Sequence, residues 1–365
     1  MNITIIAGAR PNFMKIAPII EAIQNKKALG FNINYRLVHT GQHYDKNLSD
    51  TFFSELNIPF PDINLEVKGG TQAEQTAAIM ISFEKELQQN PTDLVLVVGD
   101  VTSTMACTIV AKKAGVSIAH VEAGIRSGDM NMPEEINRIV TDSLTDYFFT
   151  TSNYANKNLA NLGVAEGNVF FVGNVMIDTL LNNLPRFKKP KIWEDLGLES
   201  KKYMVMTLHR PSNVDEEKQL KNLIHEIVKR GKDYPIIFPV HPRTKKLLEG
   251  LNLNFENLHY VEPLGYLHFN YLVKNAFAVL TDSGGITEET TVMNVPCITL
   301  RDSTERPETC DIGTNVLVGN DTHKIETAFK KLLSGNWKQG QTPELWDGKA
   351  AKRIVDCLVE IYSLS

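Results

Sequence analysis

The sequence predicts an α/β protein built from two doubly wound domains. Three observations carry that expectation: β-branched runs alternate with segments of helical period, the apolar runs are unbroken, and the alternation pauses once near Val172-Gly173-Asn174 before it restarts. Such alternation marks successive βαβ units, and unbroken apolar strands suit a parallel sheet covered on both faces. A length of 365 residues is enough for two cores of ordinary size.

In the first half, strands are expected at Ile3–Ala7, Asn34–His39, Leu94–Val98, Ile118–Val121, Tyr147–Thr150 and Val169–Val172. Helices fall between them at Phe13–Gln24, Thr71–Gln89, Ser103–Ala114, Glu134–Leu144 and Tyr154–Leu162. A helix with apolar Val175, Ile177, Leu180 and Leu181 follows the pause, and then a polar, proline-bearing segment from Pro185 to Lys202. The second half resumes with strands at Tyr203–Thr207, Ile236–Val240, Leu258–Val261, Ala278–Leu280, Cys297–Leu300 and Asn315–Leu317. Its helices are expected at Glu216–Arg230, Gly265–Asn275, Ile286–Met293 and Lys324–Leu333, with a terminal one at Lys349–Tyr362 that packs back on the first domain. The expected domains are therefore 1–173 with 350–365, and 174–349.

Composition narrows the function classes. With 42% hydrophobic and 22% charged residues, the chain has no apolar run near the ~18–20 residues of a membrane span. Met1 to Ile6 lacks the basic flank of a secretion signal and reads as a first strand, so a cytoplasmic location is expected. Cys107, Cys297, Cys310 and Cys357 show no metal-type spacing and are expected to be reduced packing residues. A formal net charge of −5 argues against a general nucleic-acid footprint, while local Arg and Lys clusters remain able to hold a small anion.

Ligands of doubly wound sheets bind beyond the carboxyl ends of the strands, which converts the strand list into a site list. Thr281-Asp282-Ser283-Gly284-Gly285 reads as strand, tight turn and helix start, where free backbone N–H groups and the helix dipole favour an anion. Glu288 and Glu289 follow in the first turns; a carboxylate aimed at a diphosphate would repel it, so one of them is expected to turn outward to neutral hydroxyls such as a ribose diol. Arg10 and Lys15 after the first strand suit an anion, or a solvated basic pair. Asp100 and Glu122 end two apolar strands, and Glu134, an acid at a helix start, also complements the dipole in the ordinary way. Arg138 follows one turn later. In the second half His209-Arg210 and His241-Pro242-Arg243 end strands, and Arg301 and Arg306 flank an acidic loop that would suit either a diphosphate or internal salt bridges.

Taken together, Gly8-Ala9-Arg10-Pro11, Thr40-Gly41-Gln42-His43-Tyr44-Asp45, Gly99-Asp100, Val121-Glu122-Ala123-Gly124-Ile125-Arg126, Pro133-Glu134-Glu135-Ile136-Asn137-Arg138, Thr207-Leu208-His209-Arg210, Asp282-Ser283-Gly284-Gly285 and Thr304-Glu305-Arg306-Pro307-Glu308 resemble the non-hydrolysing UDP-N-acetylglucosamine 2-epimerases, nearly end to end. The resemblance implies two Rossmann-like domains in a GT-B arrangement with the site in the interdomain cleft, a homodimer, and no cofactor or metal. It implies catalytic roles for Asp100, Glu122, Glu134 and His209. It implies UDP or substrate contacts for Arg10, Lys15, Arg138, Arg210, His241, Ser283, Gly284, Gly285, Glu289 and Arg306, with Glu289 on the ribose. The expected substrate is a UDP-sugar, with no nucleic-acid or membrane partner, and the expected role is supply of surface polysaccharide precursors.

The chemistry fits this residue set. C2 of the sugar has no adjacent carbonyl to acidify its hydrogen, and no G-x-G-x-x-G is present for a nicotinamide route. Elimination of UDP to a 2-acetamidoglucal and its re-addition needs acid/base groups near C2 and positive charge on the departing diphosphate. A hydrolysing relative typically carries Ser-Arg-Ala-Asp where this chain has Ala9-Arg10-Pro11-Asn12. A glycosyltransferase would share the fold and the UDP site without needing acids at two strand ends. A catalytically silent UDP-sugar sensor could lose Asp100, Glu122 or His209, and all three are present. The match at Glu305-Arg306-Pro307-Glu308 favours the plain substrate over a modified amino sugar. Pro211-Ser212 and Asp45 replace residues of members activated by a second substrate molecule, so weak activation is expected.

Overall fold

The computed structural model describes residues 1–41, 53, 55–240, 248, 250, 251 and 253–363, the side chains of Arg10, Pro211 and Ser212 excepted. His241, Arg243 and the 42–45 segment with Asp45 lie outside the described residues. The chain divides into two compact units, Met1–Asn182 with Glu344–Ser365, and Asn183–Pro343.

The first unit runs β1 (Asn2–Ala7), α1 (Arg10–Ala28), β2 (Asn34–His39), β3 (Ile63–Asn64), α2 (Gln72–Gln89), β4 (Leu94–Val98), α3 (Thr102–Lys113), β5 (Ser117–Val121), α4 (Pro133–Leu144), β6 (Tyr147–Thr150), α5 (Asn153–Asn161), β7 (Val169–Phe171) and α6 (Val175–Asn183). Its strands are all parallel in the order β3-β2-β1-β4-β5-β6-β7. All five residues of β4 are buried, as a central strand covered on both faces requires. Phe83 and Ile79 of α2 pack with Val95, Val97 and Val110 on one face. The α2 start is a capping box, in which Thr71 and Glu74 bond each other's backbone N–H groups.

The second unit contains α7 (Lys191–Asp195), β8 (Met204–Thr207), α8 (Pro211–Val214), α9 (Glu217–Arg230), β9 (Ile236–Pro239), β10 (Leu258–Val261), α10 (Tyr266–Asn275), β11 (Ala278–Thr281), α11 (Gly284–Val292), β12 (Cys297–Thr299), α12 (Pro307–Asp311), β13 (Asn315–Leu317) and α13 (Thr322–Leu333). Its sheet is parallel, ordered β10-β9-β8-β11-β12-β13. Leu220, Ile224 and Ile227 of α9 and Phe329 of α13 cover one face against Met204, Phe238 and Leu280, while Leu272 and Val273 of α10 cover the other.

The final helix, α14 (Ala350–Ser363), belongs to the first unit. The sequence sets the join at 173 and the return at 350, whereas the units divide at 182 and 343. The difference comes from α6, which the first unit holds: Thr179 Oγ1 donates to the Met14 carbonyl at 2.6 Å, and the Asp178 carboxylate accepts from the N–H groups of Ala350 and Ala351 at 3.1 and 2.7 Å. Trp346, ahead of α14, is 1% exposed and donates to the Thr151 carbonyl at 3.0 Å.

In both sheets the strand order reverses beside the first strand of the unit, between β1 and β4 and between β8 and β11. At such a switch point the connecting helices leave in opposite directions, so the loops after the two strands part and expose backbone groups. The candidate residues gather at these two places. Among the described residues no helix is long and apolar enough to cross a membrane.

Candidate functional site

In the first unit, Asn12 ties the two switch-point loops together. Its Oδ1 accepts from the N–H groups of Gly8 and Ala9 at 3.0 and 2.9 Å, while its Nδ2 donates to the Val98 carbonyl at 3.0 Å. Gly99 then turns the chain at φ +67, with Lys15 Nζ only 3.1 Å from where a Cβ would stand. Only glycine meets both demands cheaply. The turn presents Asp100, whose Oδ2 lies 2.5 Å from Nη2 of the buried Arg138 and whose carbonyl accepts from Asn137 Nδ2 at 2.8 Å.

One strand over, Glu122 follows β5 at φ +72, a left-handed conformation that a residue with a Cβ adopts only when its surroundings enforce it. Its N–H donates to the Phe149 carbonyl at 3.0 Å, and its side chain, 3% exposed, pairs with Lys15 Nζ at 2.6 Å. An ionised carboxylate at that depth needs a close cation. Lys15, which the resemblance assigns to UDP, supplies that cation here.

Glu134 stands exposed in the first turn of α4. Its neighbour Glu135 is buried and accepts from Ser127 N–H and Gly128 N–H at 2.9 and 3.0 Å and from Arg138 Nη1 at 2.8 Å. Burial pushes the Glu135 carboxyl up, but these donors and the Arg138 charge outweigh it and hold the group below its ordinary range. Arg138 is thus fixed by Glu135 and offered to Asp100.

In the second unit the switch point is pinned by Thr207 Oγ1 and Thr281 Oγ1, 2.6 Å apart. Asp282, fully buried, receives the N–H groups of His209 and Arg210, with Arg210 at 3.0 Å, and Asn213 Nδ2, also at 3.0 Å. Its Oδ1 also lies 2.7 Å from His209 Nδ1. Burial raises the Asp282 carboxyl, yet His209 and the other donors outweigh it and the net shift is downward. An ionised Asp282 accepts the Nδ1 hydrogen and leaves Nε2 on the exposed side of the ring.

Ser283 is the N-cap residue of α11, with its N–H on Thr281 Oγ1 at 3.0 Å. The first N–H groups of α11 have no partner within the helix. A Cβ built at Gly284 would meet nothing nearer than Arg301 Nη1 at 3.9 Å, so a guanidinium borders an open helix start. Arg301 pairs with Glu305 Oε2 at 2.6 Å, and Glu305 Oε1 lies 3.3 Å from Arg210 Nη2. The Arg306 guanidinium pairs with Glu288.

One expectation is corrected here. Neither Glu288 nor Glu289 turns outward: they are 2% and 3% exposed. Glu288 holds Arg306, and Glu289 Oε1 accepts from Tyr266 OH at 2.7 Å and from Asn270 Nδ2 at 3.4 Å. Burial pushes the Glu289 carboxyl up to about 7 despite those donors. The helix is covered on more than one side here, since Thr287 to Thr291 are all buried.

Within the first unit the fold gathers Lys15, Asp100, Glu122 and Arg138, with Glu134 exposed at the start of the same helix as Arg138. Within the second it gathers His209, Arg210, Ser283, Gly284 and Gly285, with Glu289 and Arg306 behind the turn. Arg10 opens α1, and His241 lies outside the described residues. Sequence reasoning gave no role to Asn12, Glu135 or Asp282. Asp282 had a visible signal, since it ends a buried strand just as Asp100 and Glu122 do. Among the described residues no group of three or more His, Cys, Asp or Glu side chains is arranged to hold a metal ion.

A family model described as UDP-N-acetylglucosamine 2-epimerase matches residues 25–359. The chain is 42% identical to the UDP-N-acetylglucosamine 2-epimerase of Methanocaldococcus jannaschii, over 98% of this chain and 99% of that protein. The crystal structure of the M. jannaschii enzyme in complex with UDP-GlcNAc and UDP superposes with a TM-score of 0.87 at 42% identity, covering 99% of this chain and 100% of that one. The UDP-2,3-diacetamido-2,3-dideoxy-D-glucuronate 2-epimerase of Pseudomonas aeruginosa is 37% identical over 99% of this chain and 100% of its own.

Proposed function

The chain belongs to the UDP-N-acetylglucosamine 2-epimerase family, and we propose that it interconverts UDP-N-acetylglucosamine and UDP-N-acetylmannosamine by eliminating and re-adding UDP. The observation that carries this is the pair of carboxylates on adjacent strand ends, Asp100 on Arg138 and Glu122 on Lys15, each held by a cation within 2.6 Å. A glycosyltransferase that only grips a UDP-sugar has no need of two such acids on one sheet.

In the forward direction a carboxylate among Asp100, Glu122 and Glu134 takes the C2 proton. The C2–H electrons form the C1=C2 bond, the C1–O bond breaks, and its electrons leave with UDP. Another acid of the set then protonates C2 from the opposite face as the UDP oxygen re-bonds to C1. The step needs one acid that carries a proton to donate and one carboxylate free to accept. In our proposal His209 Nε2 serves as proton donor or acceptor toward the departing diphosphate. The N–H groups of Gly284 and Gly285, the Ser283 hydroxyl and the Arg210, Arg301 and Arg306 cations stabilise its charge. Surface polysaccharide synthesis is the route we expect to consume the product.

The test is incubation with UDP-N-acetylglucosamine in heavy water, followed by NMR. Deuterium at C2 of a UDP-linked manno product is the expected result. Release of free N-acetylmannosamine would indicate hydrolysis, and absence of C2 exchange would overturn the proposal. The similarity to the diacetamido-glucuronate enzyme favours one second reading, a modified UDP-amino sugar as substrate. Parallel incubation with that sugar nucleotide decides it by the ratio of kcat/KM values.

A further inference from the structure

His120 lies inside β5, two residues before Glu122, and is 1% exposed. Its Nε2 is 2.9 Å from the Gly99 carbonyl oxygen and its Nδ1 is 2.7 Å from Asp142 Oδ1. A carbonyl oxygen only accepts, so Nε2 carries a hydrogen. On the other side, Asp142 Oδ2 accepts from Gly124 N–H at 3.0 Å and pairs with Arg126 Nη1 at 2.7 Å. Burial pushes the Asp142 carboxyl up, but the His120 and Arg126 contacts outweigh it and hold the group below the usual carboxylate range. The ring thus bridges the Gly99 carbonyl and the Asp142 carboxyl group through its two nitrogens.

Both turns that bear the acids converge on this ring. Gly99 donates its N–H to the Val121 carbonyl at 3.0 Å and offers its own carbonyl to His120, so the peptide leading into Asp100 is anchored to β5 at both ends. Gly124, at φ +76, is held through Asp142 and closes the turn that begins with the left-handed Glu122. A turn fixed at one end only swings about it; these two turns share a common anchor.

We propose that His120 is a positioning residue: its buried ring clamps the Asp100 turn through the Gly99 carbonyl and the Glu122 turn through Asp142, keeping the two carboxylates at a fixed separation for proton transfer at the sugar. This inference rests on the acid roles given under Proposed function. It also explains why so polar a pair sits deep in the sheet, where an apolar residue would pack without desolvation cost.

The test is steady-state kinetics with a parallel UDP titration on the full-length protein. His120→Gln is expected to lower kcat by about tenfold to a hundredfold while KM and UDP affinity stay within about twofold, as a displaced acid predicts. Asp142→Asn keeps the shape and can satisfy every partner, its amide nitrogen donating to Nδ1 and its oxygen accepting from Gly124 and Arg126. It is expected to keep kcat within about twofold, whereas Asp142→Ala, which opens the clamp, is expected to lower kcat as His120→Gln does. A His120→Gln kcat within about twofold of the parent, or an equal fall in UDP affinity and kcat, overturns the proposal. Should His120→Gln fail to fold, the Asp142 pair decides: a kcat for Asp142→Ala no lower than that of Asp142→Asn overturns it. If Asp100→Asn and Glu122→Gln both retain full C2 exchange, it is the acid assignment that fails instead.

Discussion

Asp282 has its whole side chain buried, yet the histidine it holds is 59% exposed. That asymmetry is what a tautomer-setting carboxylate requires: the acceptor is locked by Asn213 and two backbone N–H groups, and the ring it orients reaches outward. Replacing Asp282 with Asn keeps the shape but turns one acceptor into a donor, which favours the wrong tautomer of His209. We expect Asp282→Asn to lower kcat by about tenfold to a hundredfold with little change in UDP affinity. Steady-state kinetics with a parallel UDP titration measures it, and a proportionate loss of both would contradict it. Sequence reasoning could mark Asp282 as the end of a buried strand but could not pair it with His209, because the spacing between them is set by strand order alone. The same holds for Lys15 and Glu122, which lie 107 residues apart and meet only because β1 and β5 flank β4.

At the scale of elements, both Glu288 and Glu289 of α11 are buried, and a pH dependence follows. The Glu289 carboxyl moves from an ordinary 4.5 to about 7 on folding, so the native state holds this proton more tightly than the unfolded chain does. Stability from this group is therefore fully present below pH 4.5 and is lost as pH rises to about 7. Glu289→Gln should remove that slope, so that the variant gains on the parent by on the order of 3 kcal/mol across the window. Urea midpoints at a series of pH values test this, and parallel curves for the two proteins would refute it. Element positions themselves were legible: β2, β4, β6, β10 and β13 have the bounds expected from the sequence, most plainly β4, whose five apolar residues are all buried. The two-residue β3 and the short helices α7, α8 and α12 were not, since so few residues show no period. The acids were legible for a topological reason, as the carboxyl end of a strand is a functional address in any doubly wound sheet. The burial of Glu288 and Glu289 was not, because it depends on Arg306, Tyr266 and Asn270, which the fold brings to them from other elements.

For the molecule as a whole, the placement of α14 matters most. Ile354, Val355 and Leu358 are fully buried, α14 packs on α1, and Lys26 pairs with Asp356 at 2.6 Å. Burying three such side chains contributes roughly 6 kcal/mol, a large part of the 5–15 kcal/mol that holds a typical domain together. Ending the chain at Lys349 should therefore expose the backbone amides of the first unit to hydrogen exchange and leave those of 183–343 protected. Mass-spectrometric exchange of the two proteins measures this, and unchanged protection of β1 and β4 would refute it.

Because 344–363 completes a unit that begins at residue 1, the order in which the chain is made differs from the order in which it can close. The segment 183–343 is continuous and has all its strands once residue 343 has left the ribosome. The opening strands emerge first and must wait for α14, at ordinary rates of synthesis about 20–70 seconds later. During that interval the apolar face of α1 that α14 will cover is bare, which makes the nascent first unit a client for chaperones and the second a self-sufficient folding unit.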